Sequence, residues 1–276
     1  MIGSPSLASS QAEARPRARN RRDGVAGLAL VTLGFLPACE PELSVGEWAC
    51  SDNGPALSKP TDAIEVPWST GFENHFCDYS ELAGFCYAAP GASYRTVTSP
   101  VHAGHYAAAF TVTGDDPDAF QTRCVRQGSL PAAAYYGAWY FVPALATNSE
   151  LWNLVHFQGG DISAQHGLWD ISLVNGANGD LEAVVFDFLN TVVRRPTAPT
   201  PIPIGSWFQL ELYLERASDA TGEVALYQDG QLLFDATNLI TDDSSFAQWY
   251  VGNLATGLSP ADSTLYVDDV TIRGSR

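Results

Sequence analysis

The stretch LWNLVHFQGG, Leu151 to Gly160, decides the fold. Trp152, Leu154, His156 and Gln158 alternate with Asn153, Val155 and Phe157. Successive side chains therefore point to opposite faces, the periodicity of a β-strand. One face carries an indole, an imidazole and a carboxamide in a row, the chemistry of a sugar-binding groove. Which face points inward is not set by this segment alone.

Outward from it, nearly every segment reads the same way. Tyr94–Ser99, Tyr106–Thr113, Phe120–Gln127, Tyr135–Val142, Trp169–Val174, Leu181–Asn190 and Trp207–Glu215 are short and rich in β-branched and aromatic residues. So are Glu223–Gln228, Gln231–Asp235, Phe246–Leu254 and Leu265–Arg273. Asn175-Gly176, Asn178-Gly179 and above all Asp229-Gly230 are turn signals. Arg194 to Gly205 is too rich in proline to pair as a strand. About a dozen strands with turns every 8–12 residues and no amphipathic helix predict an all-β, two-sheet antiparallel sandwich over residues 67–276. Seven Trp, eleven Tyr and thirteen Phe supply its core with some to spare.

Residues 1–38 read differently. Arg15, Arg17, Arg19, Arg21 and Arg22 precede a short apolar run, Val25 to Leu36, which ends at small residues. The run is too short to span a bilayer and has the form of an export signal. Leu36-Pro37-Ala38-Cys39 looks like a bacterial lipobox, which places cleavage before Cys39 and a lipid on its sulfur; the alternative is plain secretion. The expected location is the bacterial cell envelope, at the outer membrane or in the periplasm, with the lipid as the one membrane contact. Residues 39–66 lack periodicity and form a tether.

Without residues 1–38 the chain has a formal charge of −20. Such a surface repels polyanions, so no nucleic-acid partner is expected, and sulfated or uronate-rich polysaccharides are disfavoured too unless a local arginine cluster receives them. A monomer is expected too. Cys50, Cys77, Cys86 and Cys124, an even number in an exported chain, read as two disulfides rather than a metal site. Cys77 and Cys86 flank a short loop and are the favoured pair, leaving Cys50 with Cys124.

Four segments occur in an order that resembles a known family: GFEN at Gly71–Asn74, SPVHAGHYAAAFTV at Ser99–Val112, ALYQDGQLLF at Ala225–Phe234 and LYVDDVTI at Leu265–Ile272. They are similar to the concanavalin A-like jelly rolls. Nearest are the heparin-lyase-like and alginate-lyase-like polysaccharide lyases and related carbohydrate-binding modules. In the alginate-lyase-like members three strands carry the site, with R-x-E-L-R, Q-x-H and K-x-G-x-Y patterns. QTRCVRQ at Gln121–Gln127 resembles the first, with Arg123 and Arg126 standing for its arginines. His156-Phe157-Gln158 resembles the second in reversed order. QWYVG at Gln248–Gly252 stands where the third would be, with Tyr250 at its lysine-like position and Leu254 replacing its tyrosine.

The resemblance implies β-elimination on a uronate-containing glycan. His156 would be the base, Arg123 and Gln158 would hold the carboxylate, and Tyr250 would donate the proton. Trp152, Arg126, Asn253 and His166 would contact substrate. It also implies a structural calcium ion at Glu73 and Asp268, where the first and last strands meet. The residues leave blander readings open. His156 can be a half-buried histidine bonded across the sheet, Trp152 can be core, and Arg123 can be spent on a carboxylate. The E-x-D-x-E run of retaining glucanases is absent, since Glu211 and Glu215 lack a carboxylate between them, so paired-carboxylate hydrolysis is disfavoured. The alternative to a lyase is a non-catalytic carbohydrate-binding or structural envelope lipoprotein.

Overall fold

The alternating segments pair as antiparallel strands in two sheets. The computed structural model describes residues 66–80, 84–113, 121–160, 167–187, 190–242, 244 and 246–275. The export signal, the tether, Cys39, Cys50 and His166 lie outside them. One sheet contains β1 (Trp68–Thr70), β3 (Ser93–Val97), β4 (Ala107–Thr113), β6 (Ala133–Phe141), β11 (Trp207–Glu215), β12 (Gly222–Gln228), β13 (Gln231–Leu239) and β15 (Asp262–Arg273). Its order is β13-β12-β11-β6-β15-β4-β3, with β1 also on β15. The other contains β2 (Phe85–Ala88), β5 (Gln121–Gly128), β7 (Thr147–Gly159), β8 (Gly167–Asn175), β9 (Leu181–Asp187), β10 (Val192–Arg194) and β14 (Ala247–Ser259), in the order β10-β9-β8-β7-β14-β5-β2. A single turn of helix, α1 (Cys77–Ser80), precedes β2. This is the expected jelly-roll sandwich.

The core is aromatic. Trp152, Trp169, Trp249, Tyr136, Tyr140, Phe157 and Phe208 are fully buried, each contributing roughly 2–3 kcal/mol through area removed from water. Trp249 meets Trp68 edge to face at 6.4 Å, and Phe157 meets Tyr136 at 5.5 Å, the geometry that ring quadrupoles favour. Alternation in β8 sends Trp169, Ile171 and Leu173 into this core and turns Leu168, Asp170 and Ser172 the other way.

The cysteines pair differently from expectation. Cys86 is bonded to Cys124, not to Cys77. The two stand directly opposite one another on β2 and β5, with Cα atoms 4.0 Å apart. Cys77 is itself disulfide-bonded. Closeness in sequence misled here: α1 carries the chain away after Cys77, and β2 then aligns Cys86 with a residue 38 positions on.

Candidate functional site

The three strands that carry the candidate residues are neighbours, in the order β7-β14-β5. Register does the rest. Tyr250 lies opposite His156, Gln248 lies opposite Gln158 on one side and Gln127 on the other, and Gly252 lies opposite Arg123. Since Cys124, Phe157 and Trp249 point into the core, alternation puts Arg123, Gln127, His156, Gln158, Gln248 and Tyr250 on the outer face of the seven-stranded sheet.

Trp152 does not share that face. The pairing of β7 with β8 shifts register between Asn153 and Val155, so β7 holds one extra residue, Leu154, against β8. A bulge of this kind breaks the period of two, so residues before and after it no longer alternate in phase. Trp152 is 1% exposed, belongs to the core, and donates its indole N–H to Asn253 Oδ1 at 3.2 Å. Asn253 is buried as well, its amide nitrogen donating to the carbonyls of Phe110 and Ser263. Arg126 is also internal. Its position three residues after Arg123 reverses its face, and its guanidinium lies 4.5 Å over the Trp68 ring. These three expected substrate contacts are interior groups.

On the outer face His156 is the best placed side chain. Its Nδ1 is 2.6 Å from Asp170 Oδ1, on the paired residue of β8, and its Nε2 is 3.5 Å from Gln158 Oε1. The imidazole meets the Tyr250 ring edge to face at 5.0 Å. Arg123 lies 5.6 Å over the Tyr250 ring and donates to Asn153 Oδ1 at 2.7 Å. Among the described residues no carboxylate neutralises it. Tyr250 donates to Gln248 Oε1 at 2.9 Å, and Gln248 donates to Gln127 Oε1 at 2.7 Å. Burial pushes the Tyr250 phenol well above its ordinary range, the Tyr87 hydroxyl adds to this, and Arg123 opposes it. Tyr250 is thereby held protonated, as a proton donor must be. The Gln158 amide nitrogen is buried and has no hydrogen-bond partner among the described residues.

Three members of the site carried no signal in the sequence. Asp170 is found only through the β7–β8 register. Tyr87 stands opposite Arg123 on β2, a strand too short to register as one, and donates to Gln121 Oε1 at 3.2 Å. Its phenol is raised by burial, against the charge and hydrogen bond of Arg123. Asn153, which holds Arg123, faces outward because of the bulge.

Gly252 makes room for Arg123. At φ 154°, a Cβ there would sit 2.4 Å from the Thr122 carbonyl oxygen and 2.7 Å from Arg123 Cα. Both are backbone atoms of the neighbouring strand, which must shift. Gly252→Ala is expected to cost about 2–3 kcal/mol in denaturant unfolding and to displace Arg123. An unchanged unfolding midpoint would contradict this close approach.

Glu73 and Asp268 clamp opposite ends of one loop. Glu73 Oε1 accepts the backbone N–H groups of His105 and Tyr106 at 2.7 and 3.0 Å, and these bonds hold its carboxyl below the usual range. Asp268 Oδ2 accepts those of His102 and Ala103 at 2.9 and 3.2 Å, and its Oδ1 that of Asp269 at 2.8 Å. Burial pushes Asp268 up to about 6 against these three bonds. Among the described residues no group of three or more His, Cys, Asp or Glu side chains is arranged to hold a metal. A calcium shell here would need backbone carbonyls as well as the two carboxylates.

Two other polar clusters lie elsewhere. Arg216 lines a depression with Leu130, Asp219, Asp242 and Ser244. It is spent on Asp242, the Leu130 carbonyl and the Ser244 carbonyl, as a structural knot. Glu211 belongs to the eight-stranded sheet and pairs with Arg273.

The sequence matches no family model and no curated protein. Its fold has relatives among solved structures. An endo-β-1,4-glucuronan lyase from the fungus Trichoderma reesei superposes with a TM-score of 0.56 at 19% identity, over 75% of this chain and 95% of that one. The cellulose-induced protein Cip1 gives 0.55 at 14%, over 76% and 98%. An alginate lyase of the PL-14 family from Aplysia kurodai gives 0.52 at 12%, over 74% and 97%. The chain has the jelly-roll fold that these three structures share.

Proposed function

We propose, with that polysaccharide-lyase-like fold as premise, that the outer face of β5, β14 and β7 cleaves a uronate-containing polysaccharide by β-elimination. The observation that carries this is the convergence, on three adjacent strands, of an imidazole, a protonated phenol and a guanidinium that no described carboxylate neutralises. These are the base, the acid and the charge stabiliser that elimination requires.

Because Nδ1 of His156 is engaged by Asp170, Nε2 is the nitrogen left to act. It removes the proton at C5 of a uronate. The electrons of that C–H bond form the C4–C5 double bond, the C4–O4 bond breaks, and the Tyr250 hydroxyl gives its proton to the departing oxygen. Arg123 stabilises the charge that builds on the uronate carboxylate. The unpartnered Gln158 amide is a second donor for it, satisfied when the carboxylate arrives.

The test is ultraviolet absorbance of the unsaturated product with polyglucuronate, polymannuronate and polyguluronate as substrates. A rise on at least one is expected, and no rise on any sinks the reading. A second reading has one observation in its favour. Arg123 and Tyr250 are 6% and 7% exposed, with their polar atoms already bonded to Asn153 and Gln248, which suits a face that binds a glycan without turning it over. Retention on immobilised polyuronate with no absorbance change would select it.

The reading includes a structural calcium ion at the loop between Glu73 and Asp268, whose hard carboxylate oxygens suit it. Chelation is then expected to lower the melting temperature by several degrees, with recovery on adding calcium. An unchanged melting temperature leaves the two carboxylates as clamps on backbone N–H groups alone. Export to a bacterial envelope and lipidation at Cys39 complete the proposal. Metabolic labelling with palmitate, lost in Cys39→Ala, is the expected result.

A further inference from the structure

We infer that Asp170 is a positioning residue for His156, fixing which imidazole nitrogen faces the substrate. The inference deepens the elimination reading and rests on it for its kinetic part only. Asp170 is on β8 between Trp169 and Ile171, which enter the core, so it turns to the outer face beside His156. Its side chain is 8% exposed and that of His156 is 15% exposed. A carboxylate so nearly removed from water is costly unless a donor meets it. Among the described residues its one hydrogen-bond partner is His156 Nδ1, at 2.6 Å.

The consequence concerns the ring. An ionised carboxylate only accepts hydrogen bonds, so it selects the tautomer with hydrogen on Nδ1. The lone pair is then on Nε2, because Gln158 Oε1, a neutral acceptor 3.5 Å from that nitrogen, holds a hydrogen far more weakly than the Asp170 carboxylate at 2.6 Å from Nδ1. Without Asp170 the ring is free to carry its hydrogen on Nε2, which would present the substrate with a donor where a base is needed. The register fixes the pair: His156 and Asp170 are Cα partners in the β7–β8 ladder. The bulge at Leu154 lies between the inward-facing Trp152 and His156, and it is what brings the imidazole out to meet Asp170.

The test is Asp170→Asn, which keeps shape and can donate to Nδ1, with Asp170→Ser as a second variant should Asn misfold. Nitrogen-15 spectra of histidine-labelled protein, with the His156 signal assigned by its loss in His156→Gln, report the tautomer directly. The wild type is expected to show hydrogen on Nδ1 and Asp170→Asn to show it on Nε2. On whichever polymer is cleaved, kcat is expected to fall by about 10²–10⁴-fold, with KM within about threefold. An unchanged tautomer in both variants, or an unchanged kcat with only a lower melting temperature, would overturn the proposal and leave a structural pair. If the wild type cleaves no polymer, the elimination reading fails, and the tautomer measurement still decides the role of Asp170.

Discussion

Replacing His156 with glutamine is expected to remove polysaccharide cleavage while leaving the sandwich folded. Glutamine can still donate to Asp170, so the buried carboxylate keeps a partner. It cannot accept the C5 proton at neutral pH, so turnover should drop by about 10²–10⁴-fold. His156→Ala should lose the same turnover and also cost about 1–3 kcal/mol, because it leaves Asp170 nearly buried without a donor. The pair of variants separates chemistry from packing. Equal loss of activity with unequal loss of stability is the expected pattern, read from cleavage rates and from denaturant unfolding. Retained turnover in His156→Gln would place the base elsewhere.

The second large effect is on stability. Cys86 and Cys124 close a loop of 38 residues, and a cross-link of that length restricts the unfolded chain by roughly 3–4 kcal/mol. For a domain of this size the corresponding fall in melting temperature is about 6–16 °C for the Cys86→Ala, Cys124→Ala double variant. Part of that loss falls near the site, since β2 carries Tyr87 opposite Arg123 and the disulfide staples β2 to β5. Non-reducing peptide mapping should recover the Cys86 and Cys124 peptides joined. Recovery of Cys77 joined to Cys86 instead would overturn the strand pairing of β2.

Much of this was legible in the residues. Alternation in Leu151–Gln158, Trp207–Glu215 and Leu265–Arg273, with Asp229-Gly230 as a turn, is enough to predict an all-β sandwich, because a period of two has no other use in a soluble core. Motif order then points to β5, β7 and β14 as site strands, and they are adjacent. What stayed hidden depends on register. A bulge adds one residue without any residue type that marks it, so Trp152 reads as a groove indole and is a core residue. Asp170 and Tyr87 become neighbours of His156 and Arg123 only through cross-strand pairing. The disulfide depends on register in the same way: spacing measures distance along the chain, whereas β2 places Cys86 against its partner on β5. Leu254 replacing the expected tyrosine argues against a proton donor by motif, yet Tyr250, two strand steps away, stands against the imidazole.

The most direct measurement of the central claim is the mass of the oligosaccharides released from a uronate polymer. Elimination forms a C4–C5 double bond without adding water, so each new non-reducing end is one water lighter than its hydrolytic counterpart. The wild type is expected to release that lighter series and His156→Gln none. Products of the hydrolytic mass, or the lighter series at undiminished rate from His156→Gln, would contradict it.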